Sequence, residues 1–165
     1  MTAPEPPDEF MKSLQAEDEL GLVVRAHIHI ESKLIELLSL LADTKALERM
    51  ELDYFQRVHL AVALGLREEH SKGLLALGTL RNAFAHRLGS SLTEARIRSL
   101  YEALSATDKT AVQGAYVRTE RSLNQHGGKK FQSLSPRDRF VLIAVALQSI
   151  LLLAIREAKH RGKSA

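Results

Sequence analysis

The sequence predicts an all-α fold, a single-domain bundle of several helices. Apolar residues recur at three- and four-residue steps along most of the chain, which is the period of an amphipathic helix. Aromatic residues make up only 5% of the 165 residues and tryptophan is absent, so leucine, alanine, isoleucine and valine must build the core, as they do between packed helices. No strand-like alternation, Asn-Gly hairpin turn or repeat of fixed period is present.

The first elements are a proline-rich start and a long helix. Residues 1–7 predict a flexible N-terminal arm, although Pro7 can also open a first helix; the helical domain spans residues 8–160. A long helix is predicted over 18–41. Its main stripe is Val23, Ile30, Leu34, Leu37, Leu38 and Leu41. Further apolar residues at Leu22, Val24, Ile28 and Ile35 widen the stripe, so we expect this helix to touch neighbours on two sides.

Three further helical segments follow in the middle of the chain. A short, weak helix is predicted within 43–52, and a longer one over 53–66 with Gly65 as its C-terminal stop. The next helix runs through 67–88 and ends at Gly89. Its apolar stripe is Leu74, Leu77, Leu80 and Phe84. The order of the last two helices resembles a helix-turn-helix, but the second is apolar where a groove-reading helix is polar.

The remaining elements are two helices, a loop and a final apolar helix. The sequence SLTE at 91–94 offers a capping box for a helix through Leu104, and a polar helix is predicted over 107–125. The glycine- and lysine-containing stretch 126–135 predicts a loop. Ser135 is the expected N-cap of the last helix, with Pro136 at its first position. That helix is predicted to run to about Lys159, and residues 161–165 form a basic tail.

The apolar run at 140–155 bears on location. It is shorter than the roughly 20 residues that a membrane-spanning helix needs, so we expect a buried core helix and no membrane partner. The acidic, proline-rich start lacks the features of a secretory signal. Together these observations predict a cytoplasmic protein.

Composition excludes several kinds of site. The absence of cysteine rules out a disulfide scaffold, a thiolate zinc site and a cysteine nucleophile. His27 and His29 are two residues apart, so on a helix they face different directions and cannot share an ion. Neither a metalloprotease motif nor a glycine-rich phosphate loop is present. We expect no metal ion and no cofactor, while the net charge of +3 and pI of 9.3 permit a nucleic-acid partner.

Three polar residues interrupt the apolar helix at RNAFAH, residues 81–86. Asn82 and His86 lie one turn apart on one face, so we expect Asn82 to reach the imidazole and fix its tautomer and direction. Arg81 points about 140° around the helix from His86. One helix therefore does not bring Arg81 and His86 onto one atom. A fraying helix end at Gly89, or a second copy of the helix across a two-fold axis, would do so.

These residues suit either of two roles. Histidine can take the proton of a ribose 2′-hydroxyl, and arginine can hold a phosphate with its planar fork of donors. Such a pair would cleave RNA without a metal ion. The alternative is structural: Arg81 would pair with a carboxylate such as Glu31 or Glu36, and His86 would cap the helix end.

The pattern R-N-x-x-x-H on a helix resembles the signature of HEPN domains. These are all-helical modules, many of which are metal-independent ribonucleases in toxin–antitoxin and defence systems. In those families the arginine, the polar residue after it and the histidine line a groove between two protomers. The resemblance implies that Arg81, Asn82 and His86 are catalytic, that the protein is a homodimer and that its partner is RNA.

A wider resemblance is to the mannitol operon repressor family. It rests on ELGLVVRAHIHIESKLIELLSLL, FQRVHLAVALGL, LLALGTLRNAFAHRL and SPRDRFVLIAVALQSILLL, which follow the family order through most of residues 18–153. The segments 27–30 and 105–130 depart from it. The resemblance implies a helical regulatory protein that acts in transcription through a protein partner rather than a DNA-reading helix. Regulator is the first hypothesis, and HEPN-type endoribonuclease is the alternative.

Overall fold

The structure is a computed structural model that describes residues 7–15, 17–87, 89–122 and 130–163. These residues form eight α-helices and no strand, which confirms the all-α prediction. The helices are α1 (Pro7–Gln15), α2 (Glu19–Leu41), α3 (Thr44–Arg49), α4 (Tyr54–Ala63), α5 (Ser71–Ala85), α6 (Glu94–Ala103), α7 (Ala106–Ser122) and α8 (Pro136–Lys163). Short 3₁₀ turns lie at Glu68–His70 and Phe131–Ser133. The resemblance to either family remains a prediction.

Aspartate residues fix where three of the helices begin. The carboxylate of Asp18 accepts a hydrogen bond from the backbone N–H of Gly21 at 2.7 Å, and Asp43 and Asp53 cap α3 and α4 in the same way. An aspartate at this position satisfies a backbone donor that the helix leaves unpaired. The long helix and the two that follow it therefore begin within a residue or two of the predicted positions.

Two glycines lie beyond the ends of α4 and α5. Gly65 has a φ of 120° and Gly89 a φ of 84°, values that L side chains rarely adopt. Gly65 follows α4 closely and confirms the predicted stop. The prediction that α5 extends to Gly89 is wrong by one turn, because α5 ends at Ala85 with His86 as its C-cap.

The predicted capping box at Ser91 is also wrong. The N-cap of α6 is Thr93, whose hydroxyl accepts from the N–H of Arg96 at 3.3 Å. Leu92 lies before the helix, is buried, and donates its N–H to a carboxylate oxygen of Glu19 at 2.8 Å. The carboxylate of Glu94, which the box would have used, pairs instead with Arg139 of α8.

Helix α8 is the centre of the core and packs against α1, α2, α6 and α7. Its start is as predicted, since the hydroxyl of Ser135 accepts from the N–H of Asp138 at 3.1 Å. Its end is later than predicted, because residues 161–163 of the expected basic tail continue the helix. By length and composition α8 could cross a bilayer, but 72% of its apolar window is buried inside the fold. That is how the core helix of a soluble protein behaves.

The same helix also caps α1. The guanidinium of Arg137 donates to the backbone carbonyl oxygens of Leu14, Gln15 and Glu17, at 3.1 Å in the case of Gln15. Leu14 and Gln15 are the last two residues of α1, where a helix has no N–H of its own for its final carbonyls, and Glu17 follows the helix. Arg137 therefore joins the first helix of the fold to the last.

Several predictions concern residues outside the described ranges. Residues 1–6 of the expected arm, residues 123–125 of the polar helix, residues 126–129 of the loop and residues 164–165 of the tail lie there. The described part of the loop forms the turn at Phe131–Ser133, with Phe131 buried.

Candidate functional site

The rotation of α5 about its axis is set by its apolar stripe. Leu74, Leu77, Leu80 and Phe84 are each at most 7% exposed, which confirms the predicted stripe. The guanidinium of Arg96 lies over the Phe84 ring, 5.3 Å from its centroid, and so covers the last apolar residue of the stripe. Arg81 is consequently half-buried at the edge of the core, while His86 is exposed.

Helices α4 and α5 approach each other closely one turn before Arg81. The Tyr54 hydroxyl donates to the backbone carbonyl of Leu74 at 2.9 Å. A Cβ placed on Gly78 would lie only 2.7 Å from the Tyr54 ring and 3.1 Å from the ring of Phe55. The absent side chain at Gly78 therefore lets α5 rest directly on the aromatic start of α4.

A buried histidine of α2 completes this contact. The rings of His27 and Tyr54 are tilted against each other with centroids 4.3 Å apart. Burial lowers the pKa of His27; the carboxylate of Glu31 opposes this shift, and the charge of Arg81 adds to it. A cation destabilises a nearby imidazolium, so the Arg81 charge acts directly on this ring.

The guanidinium of Arg81 is held by a neutral group. Its Nη1 donates to Oδ1 of Asn82 at 3.0 Å. The expected ion pair of Arg81 with Glu31 or Glu36 is wrong, because other cations hold these carboxylates. Glu31 accepts from Nη1 of Arg57 at 2.5 Å. Glu36 binds Lys33 at 3.1 Å and Lys159 at 3.0 Å.

The histidine of the motif bonds to the described residues through its backbone and not through its ring. The backbone N–H of His86 donates to the carbonyl of Asn82 at 3.1 Å and closes α5, but its imidazole has no hydrogen bond or ion pair with a described residue. The prediction that His86 caps the end of α5 is confirmed, because His86 is the C-cap and its backbone N–H forms the closing hydrogen bond. The expected bond from the Asn82 amide to the His86 ring is not formed among the described residues, because that amide is turned to Arg81.

The sequence did not predict the Arg57–Glu31 ion pair or the tilted contact between the rings of His27 and Tyr54. The four-residue spacing of His27 and Glu31 was visible, and their side chains are 3.8 Å apart. Arg57 lies on another helix, so no local spacing could identify it.

A second buried pair lies at the other end of α5. Nδ1 of His70 is 2.5 Å from Oδ1 of Asp108, and both residues are buried. The hydroxyl of Ser105 accepts from the N–H of Asp108, and the N–H of Ser105 donates back to the Asp108 carboxylate. This pair joins the start of α5 to the start of α7 and has a structural role, since Asp108 is fully buried.

The arrangement at the end of α5 offers an oriented guanidinium and an accessible imidazole. Within the described ranges, no group of three or more histidine, aspartate or glutamate side chains is placed to hold a metal ion. Comparison of the chain with protein-family models, curated proteins and solved structures finds no significant match.

Proposed function

We propose that this protein is a metal-independent endoribonuclease whose Arg81, Asn82 and His86 act in a groove completed by a second protomer. The observation that carries the proposal is that neither ionisable side chain forms an ion pair with a described residue. The His86 imidazole is exposed and has no hydrogen bond or ion pair with a described residue. The acceptor for Arg81 is the neutral Asn82 amide, so the guanidinium is oriented and keeps its charge.

The chemistry is an internal transesterification of RNA. The ribose 2′-oxygen attacks the adjacent phosphorus, the bond from phosphorus to the 5′-oxygen breaks, and the products are a 2′,3′-cyclic phosphate and a 5′-hydroxyl. His86 takes the proton of the 2′-hydroxyl as a general base. Arg81 donates to the phosphate oxygens and stabilises the charge that develops on them.

A second protomer supplies what one chain lacks. The departing 5′-oxygen needs a proton, and the base that has just accepted one cannot serve at the same moment. The same histidine of a second protomer, in its protonated form, would provide it. Arg81 and His86 also point about 140° apart around α5, so one helix does not bring both to one phosphate; a two-fold pairing of α5 ends would bring the arginine of one copy near the histidine of the other.

The test is RNA cleavage in the presence of EDTA. Wild type, His86→Ala and Arg81→Ala are incubated with single-stranded and structured RNAs, and the ends of the products are identified. His59→Ala is the matched control, because His59 is an exposed histidine of α4 outside the site. Cleavage that survives EDTA, yields cyclic phosphate ends and is lost only in the two site variants is the expected result. Cleavage that EDTA abolishes would contradict the proposal.

One observation favours the regulatory function as a second candidate. Ile28 and Ile35 were expected to widen the stripe by which α2 touches neighbours on two sides, but they are 58% and 46% exposed, and their seven-residue spacing puts them on one face of α2. Exposed apolar side chains on one face are typical of a protein-binding surface. A folded wild-type chain that leaves every RNA intact would favour this candidate, as the resemblance to the mannitol operon repressor family implies.

A further inference from the structure

We infer that Arg57 is a positioning residue: by binding Glu31 it keeps that carboxylate away from Arg81 and leaves Arg81 for the phosphate of RNA. The inference rests on the proposed function, because it explains how the guanidinium of Arg81 stays available. It assigns a role in the reaction to a residue of α4, a helix that contributes none of the three motif residues.

The contact between Arg57 and Glu31 is partly shielded from water. Nη1 of Arg57 lies 2.5 Å from Oε1 of Glu31, with side-chain exposures of 27% and 25%. A carboxylate that is largely removed from water needs a cation or hydrogen-bond donors, since its charge is otherwise poorly solvated. Arg57 meets that need from one side of Glu31.

Glu31 and Arg81 both act electrostatically on the same ring, that of His27. The other carboxylate oxygen of Glu31 lies 3.8 Å from Nδ1 of His27. His27 stacks on Tyr54, and Tyr54 contacts Gly78, one turn before Arg81 on α5. The influence of the Arg81 charge on His27 agrees with this placement.

Without the cation at position 57, Glu31 would recruit Arg81. Burial lowers the pKa of His27, so that ring is neutral near pH 7 and cannot neutralise the carboxylate. Arg81 is a permanent cation whose acceptor among the described residues is a neutral amide, and a carboxylate attracts a guanidinium more strongly than an amide does, because it carries a full opposite charge and can accept two parallel hydrogen bonds. A guanidinium paired with Glu31 would bind phosphate weakly, because its charge is already neutralised.

The experiment compares Arg57→Met, Glu31→Gln and the double variant in the EDTA assay. Methionine keeps an apolar stem at position 57 without the charge. We expect kcat/KM to fall about tenfold or more in Arg57→Met, to stay near the wild-type value in Glu31→Gln, and to return to within about threefold in the double variant. Recovery in the double variant distinguishes capture by Glu31 from a contact of Arg57 with RNA or a loss of folding.

A second measurement separates this inference from the proposed function. The Nε–Hε NMR signal of Arg81, assigned by its loss in Arg81→Lys, should move in Arg57→Met and return in the double variant. If wild type cleaves no RNA, the proposed function fails, and this signal alone decides whether Arg57 keeps Glu31 from Arg81. An unmoved signal, or a double variant as inactive as Arg57→Met, would overturn the inference.

Discussion

Nη1 of Arg81 donates a hydrogen bond to Oδ1 of Asn82, its neighbour in the chain, at 3.0 Å. In a structural ion pair a carboxylate would occupy the position of this amide. A neutral acceptor orients the guanidinium without cancelling its charge, whereas a carboxylate would orient it and neutralise it at the same time. The acceptor that follows the arginine in the chain is therefore part of the proposed site.

The first prediction changes that acceptor. Asn82→Ala removes one hydrogen bond from Arg81, so we expect kcat/KM for RNA to fall about tenfold. Asn82→Asp should lower it further, mainly by raising KM, because the new carboxylate both neutralises Arg81 and repels phosphate. The measurement is cleavage kinetics at two salt concentrations. Equal activity of Asn82→Asp and wild type would show that Arg81 does not bind the phosphate.

The second prediction concerns the core side of the motif. Phe84 is 2% exposed, so Phe84→Ala should lower the free energy of unfolding by roughly 3–5 kcal/mol through lost burial and the cavity that remains. Urea unfolding measures the effect. Ala85→Ser is the control, because Ala85 is the exposed neighbour. A change below about 1 kcal/mol in Phe84→Ala would place this ring outside the core.

The third prediction compares two helical glycines. Gly78→Ala should destabilise the fold by about 1–3 kcal/mol, because the new methyl group would meet the ring of Tyr54. Gly114→Ala should stabilise it by up to about 1 kcal/mol, since the atom nearest to a Cβ there is the guanidinium of Arg118 at 3.4 Å, the end of a flexible side chain. Thermal unfolding of both variants measures the two changes in stability. Equal effects would contradict the close approach of α4 and α5.

The fourth prediction is a pH dependence of stability. Burial lowers the pKa of His27 from its ordinary value of 6.5, so the unfolded chain binds a proton at His27 more readily than the folded chain. The contribution of His27 to the free energy of unfolding is therefore most favourable above pH 6.5, and it falls as the pH drops from 6.5 towards the lowered pKa. His27→Gln should therefore flatten the decline in unfolding free energy between pH 7.5 and 5.5 (about one unit on either side of that value).

The control for this titration is His59→Gln, which changes an exposed histidine on α4. It should leave the slope unchanged. An identical slope in wild type and His27→Gln would show that the protonation of His27 is the same in the folded and unfolded chain.

The fifth prediction concerns a buried amide in α8. Gln148 is fully buried, and neither its nitrogen nor its oxygen has a hydrogen-bond partner in the described part of the chain. A buried polar group without a partner costs about 1–3 kcal/mol. Gln148→Met, which has a similar shape, should therefore raise the free energy of unfolding by an amount in this range. A loss of stability would mean that the amide has a partner.

The stripe of α5 could be predicted because the helical period alone places Leu74, Leu77, Leu80 and Phe84 on one face. The cap at Ser135 was equally local, since it depends on residues within one turn. The partners of the polar side chains were not local. Arg57 binds a glutamate of another helix. Glu94 pairs with Arg139 of α8 instead of capping the start of its own helix. Such choices depend on how helices are rotated against each other, which spacing along one helix does not encode.

The capping of α1 by Arg137 has a consequence for synthesis on the ribosome. Translation proceeds from the N-terminus, so α1 and α2 emerge long before the helix that covers them. At about 5–20 residues per second, the chain between Leu41 and Pro136 takes several seconds to make. During that interval the apolar face of α2 has no α8 to pack against. The apolar face that α8 will cover on α2 is therefore exposed to water for this interval.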